Sequence, residues 1–418
     1  MTLVAVFLGL LFCYSLASGR LERSVLTAPI LFTVAGIAAH ALVPELGGRR
    51  PSHELFLTVA EIGLVLLLFT DASRTDLGML RSMRNLPVRL LSTGMLLTIV
   101  LGLVAALAVF PGLSVWQAGI LAAILAPTDA GLGQVIVNSP RVPPKIRQAL
   151  NVEAGLNDGL SVPFLLFFIA LVGGGAADGQ ASLTRFLVEQ LGFGALVGIA
   201  IGLVGGWLLG RAHRLGWMAH AWRQLGVVAL PLLALVVSEA VGASMFIAAF
   251  VAGLAVQVGS TDAARDSVEF TEEWGQVFNL SVFFLFGILV ASGWGRFGVR
   301  HALYALLSLT VVRMLPVALA LWGTRLSRAT VLFVGWFGPR GLASIVLGLV
   351  YLEQLPNPTG DSTIQLTVMA TVLASTLVHG LSALPGIELY ARCVTALPAS
   401  APEREGENVG KVGSGGRI

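Results

Sequence analysis

The sequence predicts an all-α integral membrane protein with about 13 transmembrane helices. Of the 418 residues, 56% are hydrophobic and 12% are charged, which is about half the charged share of a soluble protein. Mean hydropathy is +0.85. The 49 glycines lie within apolar runs without a collagen period, as in closely packed membrane helices. A soluble multidomain enzyme is therefore excluded. The two cysteines, Cys13 and Cys393, lie near opposite ends and predict neither a disulfide framework nor a zinc site.

Thirteen apolar segments remain when the chain is divided wherever charges, proline or glycine cluster. Most are long enough to cross a hydrocarbon core of about 30 Å. Each is predicted to be helical, because backbone polar groups in lipid need internal hydrogen bonds. The predicted limits are 2–18, 25–43, 54–71, 87–110, 116–138, 146–172, 184–210, 222–240, 242–258, 276–293, 298–323, 328–352 and 362–385.

Lysine and arginine positions predict the orientation. With the N-terminus outside, 19 of the 26 basic residues fall on the cytoplasmic side and five on the other, as the positive-inside rule requires. A bacterial inner (plasma) membrane with a cytoplasmic C-terminus is expected. The first segment is interpreted as a helix rather than a cleaved signal, because no basic residue precedes it. We expect a membrane domain over 1–397 and a short disordered tail over 398–418.

Charged side chains within apolar segments are costly in a membrane and are retained where they pair, face water or carry ions. Glu61 and Glu239 are interpreted as structural, and Asp71 stands open between a solvated and a functional role. A charged side chain that neither pairs nor reaches water therefore indicates an ion-carrying site.

The fifth segment contains a break at membrane depth. In Ala-Pro-Thr-Asp-Ala-Gly, residues 126–131, Pro127 removes a helix hydrogen bond. The freed carbonyls, the Thr128 hydroxyl and the Asp129 carboxylate make an oxygen-rich interruption. Such backbone is tolerated in a membrane where it is buried or lines a cavity, so a functional site is favoured over a simple kink.

The sixth segment carries Glu153, Asn157 and Asp158. Glu153 and Asp158 are five residues apart and point to different sides of one helix, so they need separate partners. Gly155 and Gly159 allow another backbone to approach closely. Oxygen ligands of this kind suit a small, hard cation.

The twelfth segment repeats the break with the opposite charge, at Gly-Pro-Arg-Gly, residues 338–341. Two halves of six helices, joined by the seventh as a linker, make the fifth and twelfth segments equivalent, and one half is inverted. Matching broken helices in inverted halves indicate a transport site near the middle of the membrane. Asp129 is expected to neutralise two positive half-helix ends, and Arg340 two negative ends.

These motifs, with Arg313-Met-Leu-Pro316, resemble monovalent cation/proton antiporters of the sodium/proton exchanger type, in the branch with an Asn-Asp pair. The resemblance covers about residues 1–390. It implies a homodimer in which a core bundle, including about 87–172 and 298–385, moves against dimerisation helices formed by the remainder. The ion site would lie where the fifth and twelfth helices cross.

The resemblance also assigns roles. Asp158 resembles the carboxylate that binds either cation or proton, Thr128 an ion ligand and Asp129 the acid of the crossover. Glu153 resembles a structural acid paired with Arg313, with Arg340 as the alternative partner. Asn157 resembles the asparagine of electroneutral exchangers.

Two departures concern the ligands. Ala154 replaces a common serine, and Thr70 follows the third segment's phenylalanine where an acid is usual, which displaces the acid to Asp71.

The expected activity is one-for-one exchange of Na⁺ for H⁺, with K⁺ or Li⁺ left open as the cation. No phosphate-binding loop motif occurs and no cofactor or nucleic-acid partner is expected. A potassium efflux or channel pathway is one alternative. An intramembrane aspartyl enzyme using Asp129 and Asp158 is another.

Overall fold

A computed structural model of the chain describes residues 2–21, 24–42, 53–75, 85–173, 183–259, 261–354, 361–398 and 400–404. All regular structure in these ranges is helical, in two short 3₁₀ turns, Trp294–Arg296 and Pro402–Arg404, and in thirteen main segments. They are α1 (Thr2–Leu21), α2 (Ala28–Leu42), α3 (His53–Arg74), α4 (Asn85–Arg89, Leu90–Gly94 and Met95–Val109), α5a (Val115–Ile124), α5b (Ala130–Val137), α6 (Pro144–Val172), α7 (Leu183–Arg214), α8 (His220–Ala240), α9 (Met245–Gly259), α10 (Thr261–Gly293), α11a (Val299–Leu309), α11b (Val311–Ala320), α12a (Arg328–Trp336), α12b (Leu342–Gln354) and α13 (Asp361–Thr395).

The predicted number and order of the helices are confirmed. Among the described residues, nine helices are long and apolar enough to cross a membrane. Ala28–Leu42, Val115–Ile124, Met245–Val258 and Leu342–Gln354 are shorter apolar helices. The chain is therefore an integral membrane protein. Segments 43–52 and 76–84, which hold several of the basic residues used for the orientation, lie outside the described residues.

Two predicted limits were wrong by several turns. Helix α10 begins at Thr261 rather than 276, and α13 ends at Thr395 rather than 385. Both extensions are charged, so hydropathy detects only the apolar part of each helix. Two interruptions were not predicted: the π-helical turn Leu90–Gly94 in α4, and Thr310, which separates α11a from α11b.

The helices pack in two groups. Helices α2, α3 and α7–α10 contact one another and α1 contacts α2, whereas α4–α6 and α11–α13 form the second group. The groups meet where α3, α7 and α9 pack against α6, and where α3 packs against α12b. Helix α6 and the second half of the broken helix α12 thus lie at the boundary.

The chain after α13 folds back onto the start of α12a. Residues Pro402–Arg404 form a short 3₁₀ helix, and Glu403 is buried. Its carboxylate accepts hydrogen bonds from Ser327 N (2.6 Å) and Thr330 Oγ1 (2.9 Å). Disorder was expected from residue 398. Glu403 is instead packed against α12a, because its carboxylate provides the acceptor that donors at this helix start need. Residues 405–418 lie outside the described residues.

Candidate functional site

The two broken helices touch at their breaks. Helix α5a ends at Ile124 and α5b begins at Ala130, while α12a ends at Trp336 and α12b begins at Leu342. The Asp129 N–H donates to the Pro339 carbonyl at 2.8 Å. The predicted crossing of the fifth and twelfth helices is therefore present.

Asp129 serves two helix N-termini. Its Oδ1 accepts from Gly131 N (2.7 Å) and Leu132 N (3.4 Å) at the start of α5b. Its Oδ2 accepts from Leu342 N (2.6 Å) at the start of α12b. One carboxylate thus lies at both positive half-helix ends, where negative charge is stabilising.

The contact between Asp129 and α12b requires Gly341. A Cβ at this position would overlap Oδ2 of Asp129. The absence of a side chain therefore lets the carboxylate reach the Leu342 N–H.

Arg340 is fully buried and serves one negative end. Its Nη1 donates to the carbonyls of Ala126 (2.5 Å) and Pro127 (2.8 Å), which follow α5a. That it also neutralises the negative end of α12a stays a prediction. The Trp336 carbonyl, at the end of α12a, lies 2.9 Å from His379 Nε2 on α13. His379 is visible in the sequence as a polar residue in the last apolar segment, but no local pattern identifies its partner.

Asn157 joins α6 to the break in α5. Its Nδ2 donates to Thr128 Oγ1 (2.7 Å), and its Oδ1 accepts from Thr128 N (3.2 Å). The amide oxygen predicted to face the ion therefore accepts one hydrogen bond from a backbone donor, at one of its two lone pairs. Asn157 positions Thr128 in this conformation.

Asp158 differs from the other buried acids of the crossing. Its side chain is 6% exposed, and Oδ1 has no hydrogen-bond partner among the residues that the structure describes. Asp129, Asp71 and Arg340 are near enough to interact with it electrostatically. A buried carboxylate oxygen without a donor is costly as a free anion, so this atom is suited to hold a proton or a cation.

Glu153 points to a different partner. Arg313 donates to both of its carboxylate oxygens, with Nη1–Oε1 at 2.5 Å and Nη2–Oε2 at 3.0 Å. Of the two arginines considered for this acid, the structure places Arg313 against it.

Asp71, rather than Thr70, faces α6. The Asp71 Cβ lies 3.8 Å from the position a Cβ would take at Gly155, three residues before Asp158. Thr70 is buried, and its hydroxyl donates to the Leu67 carbonyl of its own helix at 2.9 Å. Asp71, which stands one position after Thr70, is therefore the acid beside the site.

Two cavities adjoin the crossing. One of about 20 Å³ touches Thr128, Asp129 and Ala154, which is room for about one water molecule. A larger one, of about 740 Å³, lies between α5b and α10 and is lined by Gln134, Asn138, Glu272, Asn279 and Glu388, among others. It offers a polar approach to α5b. In the described part of the chain, no group of three or more His, Cys, Asp or Glu side chains is suited to hold a resident metal ion.

The family model "Sodium/hydrogen exchanger, transmembrane" matches residues 4–385. The chain belongs to the sodium/hydrogen exchanger family. This exchanger-family chain also has the fold of the sodium proton antiporter MjNhaP1 from Methanocaldococcus jannaschii. The TM-score is 0.76 at 20% identity, and the match covers 91% of this chain and 99% of that one.

Curated relatives are named for two cations. The Na(+)/H(+) antiporter of Schizosaccharomyces pombe is 26% identical over 310 residues, covering 66% of this chain and 65% of that protein. The K(+)/H(+) antiporter NhaP of Alkalimonas amylolytica is 26% identical over 364 residues, covering 85% and 62%. The matches thus span less than two thirds of the length of either relative.

Proposed function

We propose that this protein exchanges a monovalent cation for protons across a membrane. The observation that carries the proposal is the buried Oδ1 of Asp158, which has no hydrogen-bond partner in the described structure. Family membership and the antiporter names of the relatives agree with it.

The coupling follows from competition at one carboxylate. A proton or a cation neutralises Asp158, whereas the empty site leaves an anion in a poorly hydrated place. If only the neutralised site crosses between the two sides, movement of one ion requires return of the other. No ATP is needed for such a cycle.

The packing supports alternating access. The helices that hold the crossing form one group, and α3, α7 and α9 of the other group border α6. We propose that the crossing group moves against the other, which forms a homodimer in a bacterial plasma membrane. The N-terminus is then outside and the C-terminus cytoplasmic.

The cation is proposed to be Na⁺, with K⁺ as the second candidate because relatives named for each cation are similar to this chain. The ligands are proposed to be the Asp158 carboxylate and an oxygen of Thr128, with Asp71 lying beside them. Since Asn157 carries no titrating proton, one cation exchanges for one proton.

The structure gives no support to an aspartyl enzyme. An aspartyl dyad shares a proton between two carboxyl groups, but both oxygens of Asp129 accept from backbone N–H groups. The relatives described above are named as antiporters rather than enzymes or channels.

The test is Asp158→Asn in everted membrane vesicles with a fluorescent probe of the proton gradient. The amide keeps the volume but binds no proton at neutral pH, so adding Na⁺ or K⁺ should release no protons. Glu239→Gln is the control, because Glu239 is an exposed acid on α8, and it should exchange normally. Cation-dependent proton movement in Asp158→Asn at the wild-type rate would overturn the assignment.

A further inference from the structure

The break in α12 leaves two backbone groups that neither Asp129 nor the Arg340 guanidinium serves. One is the Trp336 carbonyl at the end of α12a, and the other is the Arg340 N–H just before α12b. Groups of this kind must find partners when buried. The Trp336 carbonyl accepts from the Gly338 N–H within the break at 2.9 Å. Both groups also contact α13, through side chains one helical turn apart.

Ser375 and His379 hold the two sides of the break. The Arg340 N–H donates to Ser375 Oγ at 2.6 Å. His379 Nε2 lies 2.9 Å from the Trp336 carbonyl, and His379 Nδ1 lies 3.1 Å from Ser375 Oγ. A single chain of hydrogen bonds therefore runs from Arg340 through Ser375 and His379 to Trp336.

The chain defines which nitrogen of His379 carries the proton. A carbonyl can only accept, so Nε2 must donate to Trp336. Ser375 Oγ accepts from Arg340 and has its own hydrogen available for Nδ1. The Ser375 carbonyl also lies 3.1 Å from Nδ1 and would accept from it only in the charged imidazolium. The His379 side chain is 2% exposed, and a charged imidazolium is costly in such a buried place.

We propose that neutral His379, acting with Ser375, is a positioning residue that fixes the break in α12. Because the Arg340 backbone is held by Ser375, its guanidinium stays on the Ala126 and Pro127 carbonyls. This keeps the break in α5 and the electrostatic surroundings of Asp158 in their working arrangement. The inference rests on the proposed exchange function, to which it adds residues that touch neither ion.

Substitutions at His379 and Ser375 test the proposal in the full-length protein. His379→Ala removes both ring contacts, whereas His379→Gln keeps an N–H donor at similar reach for Trp336. Ser375→Ala removes the acceptor for Arg340, and Ser375→Thr restores a hydroxyl. Ser382→Ala is the matched control, because it deletes another α12a–α13 hydrogen bond, from the Trp336 side-chain Nε1 (3.1 Å), and leaves the contacts of the backbone groups at the break in place.

Exchange in proteoliposomes is measured against pH and cation concentration. In His379→Ala and Ser375→Ala, we expect the maximal rate to fall by about tenfold or more, as when supporting groups of a site are lost. The pH profile should shift to alkaline values, because a carboxylate farther from a positive charge holds its proton more tightly. His379→Gln and Ser375→Thr should recover much of the loss, and Ser382→Ala should keep the wild-type rate and profile.

Hydrogen exchange at 337–342, followed by mass spectrometry, provides a readout independent of transport. Hydrogen exchange should accelerate in His379→Ala and Ser375→Ala and stay at the wild-type level in Ser382→Ala. The proposal would be overturned if His379→Ala kept the wild-type rate of ion exchange, pH profile and amide protection. It would also be overturned if His379→Gln lost as much transport activity as His379→Ala. If His379→Ala does not fold, the Ser375 pair and His379→Gln decide. Absence of cation-dependent proton movement in the wild type would refute the proposed function alone, since amide protection would still report on the break.

Discussion

Arg313 on α11b forms a bidentate ion pair with Glu153 on α6, in which both terminal nitrogens donate to the carboxylate. The two side chains are only 5% and 3% exposed. The pair ties two helices of the crossing group together five residues before Asp158. Since each charge is removed from water, each depends on the other.

Loss of either partner should destabilise the protein more than loss of the ion site. Glu153→Ala or Arg313→Ala leaves an uncompensated buried charge, at a cost of about 3–5 kcal/mol in the free energy of unfolding. Thermal unfolding in detergent, followed by fluorescence, should show a larger fall in Tm for either variant than for Asp158→Asn.

The double variant Glu153→Ala/Arg313→Ala separates a pair from two independent residues. It should lose less stability than the two single losses combined, because no charge is left alone. Additive losses would contradict a direct interaction.

Gly341→Ala should weaken the crossing of the two broken helices. The new Cβ overlaps Asp129 Oδ2, so the carboxylate must leave Leu342 N–H unpaired, at about 1–3 kcal/mol. Lower Tm and slower exchange are expected. Gly348→Ala is the control on α12b, because its Cβ would make ordinary contact with Val368; an equal effect of both variants would contradict this explanation.

Exchange by the wild type should move no net charge. Asn157 has no titrating proton and Asp158 exchanges one cation for one proton, so a valinomycin-set potential should not change the rate in proteoliposomes. A potential of 100 mV would supply about 2.3 kcal/mol to each moved charge. Acceleration by a potential of one sign and slowing by the opposite sign would show a second titrating acid. Asp71 beside α6 would then be the first to test. Asn157→Asp is a poor substitute for this measurement, because it also removes the donor to Thr128.

The Glu403 contact should stabilise the protein at neutral pH and fade in acid. Burial raises the pKa of this carboxyl, but hydrogen bonds from the Ser327 N–H and the Thr330 hydroxyl outweigh burial, so the pKa lies below its ordinary value. The stabilisation is therefore complete above the pKa of the unfolded chain, about 4.3, and is lost as pH falls through the lower folded pKa.

The Tm difference between wild type and Glu403→Gln should accordingly be largest at neutral pH and shrink below about pH 4. Glu388→Gln is the control. Its ion pair with Arg141, at 3.3 Å, is more than half exposed on both sides, and such pairs contribute little. A Tm difference for Glu403→Gln that is independent of pH would contradict the ionised contact.

Hydropathy and proline placement were sufficient to predict the helices and the two main breaks, because a membrane imposes length and backbone pairing on each segment separately. The acid and the arginine at the breaks were predicted for the same reason: charge in an apolar run is conspicuous. The ends of α10 and α13 were missed because those turns are charged and leave the apolar pattern.

Partners across the bundle depend on distances that no local pattern contains. The sequence alone determined an inverted, all-helical membrane fold with Asp129, Asp158 and Arg340 at its centre. Only the tertiary structure decided that Arg313 rather than Arg340 meets Glu153, that Asn157 hydrogen-bonds to Thr128, and that His379 contacts the end of α12a. Apolar periodicity reports which residues enter the membrane, whereas hydrogen-bond partners are chosen by the packing of helices that lie far apart in the chain.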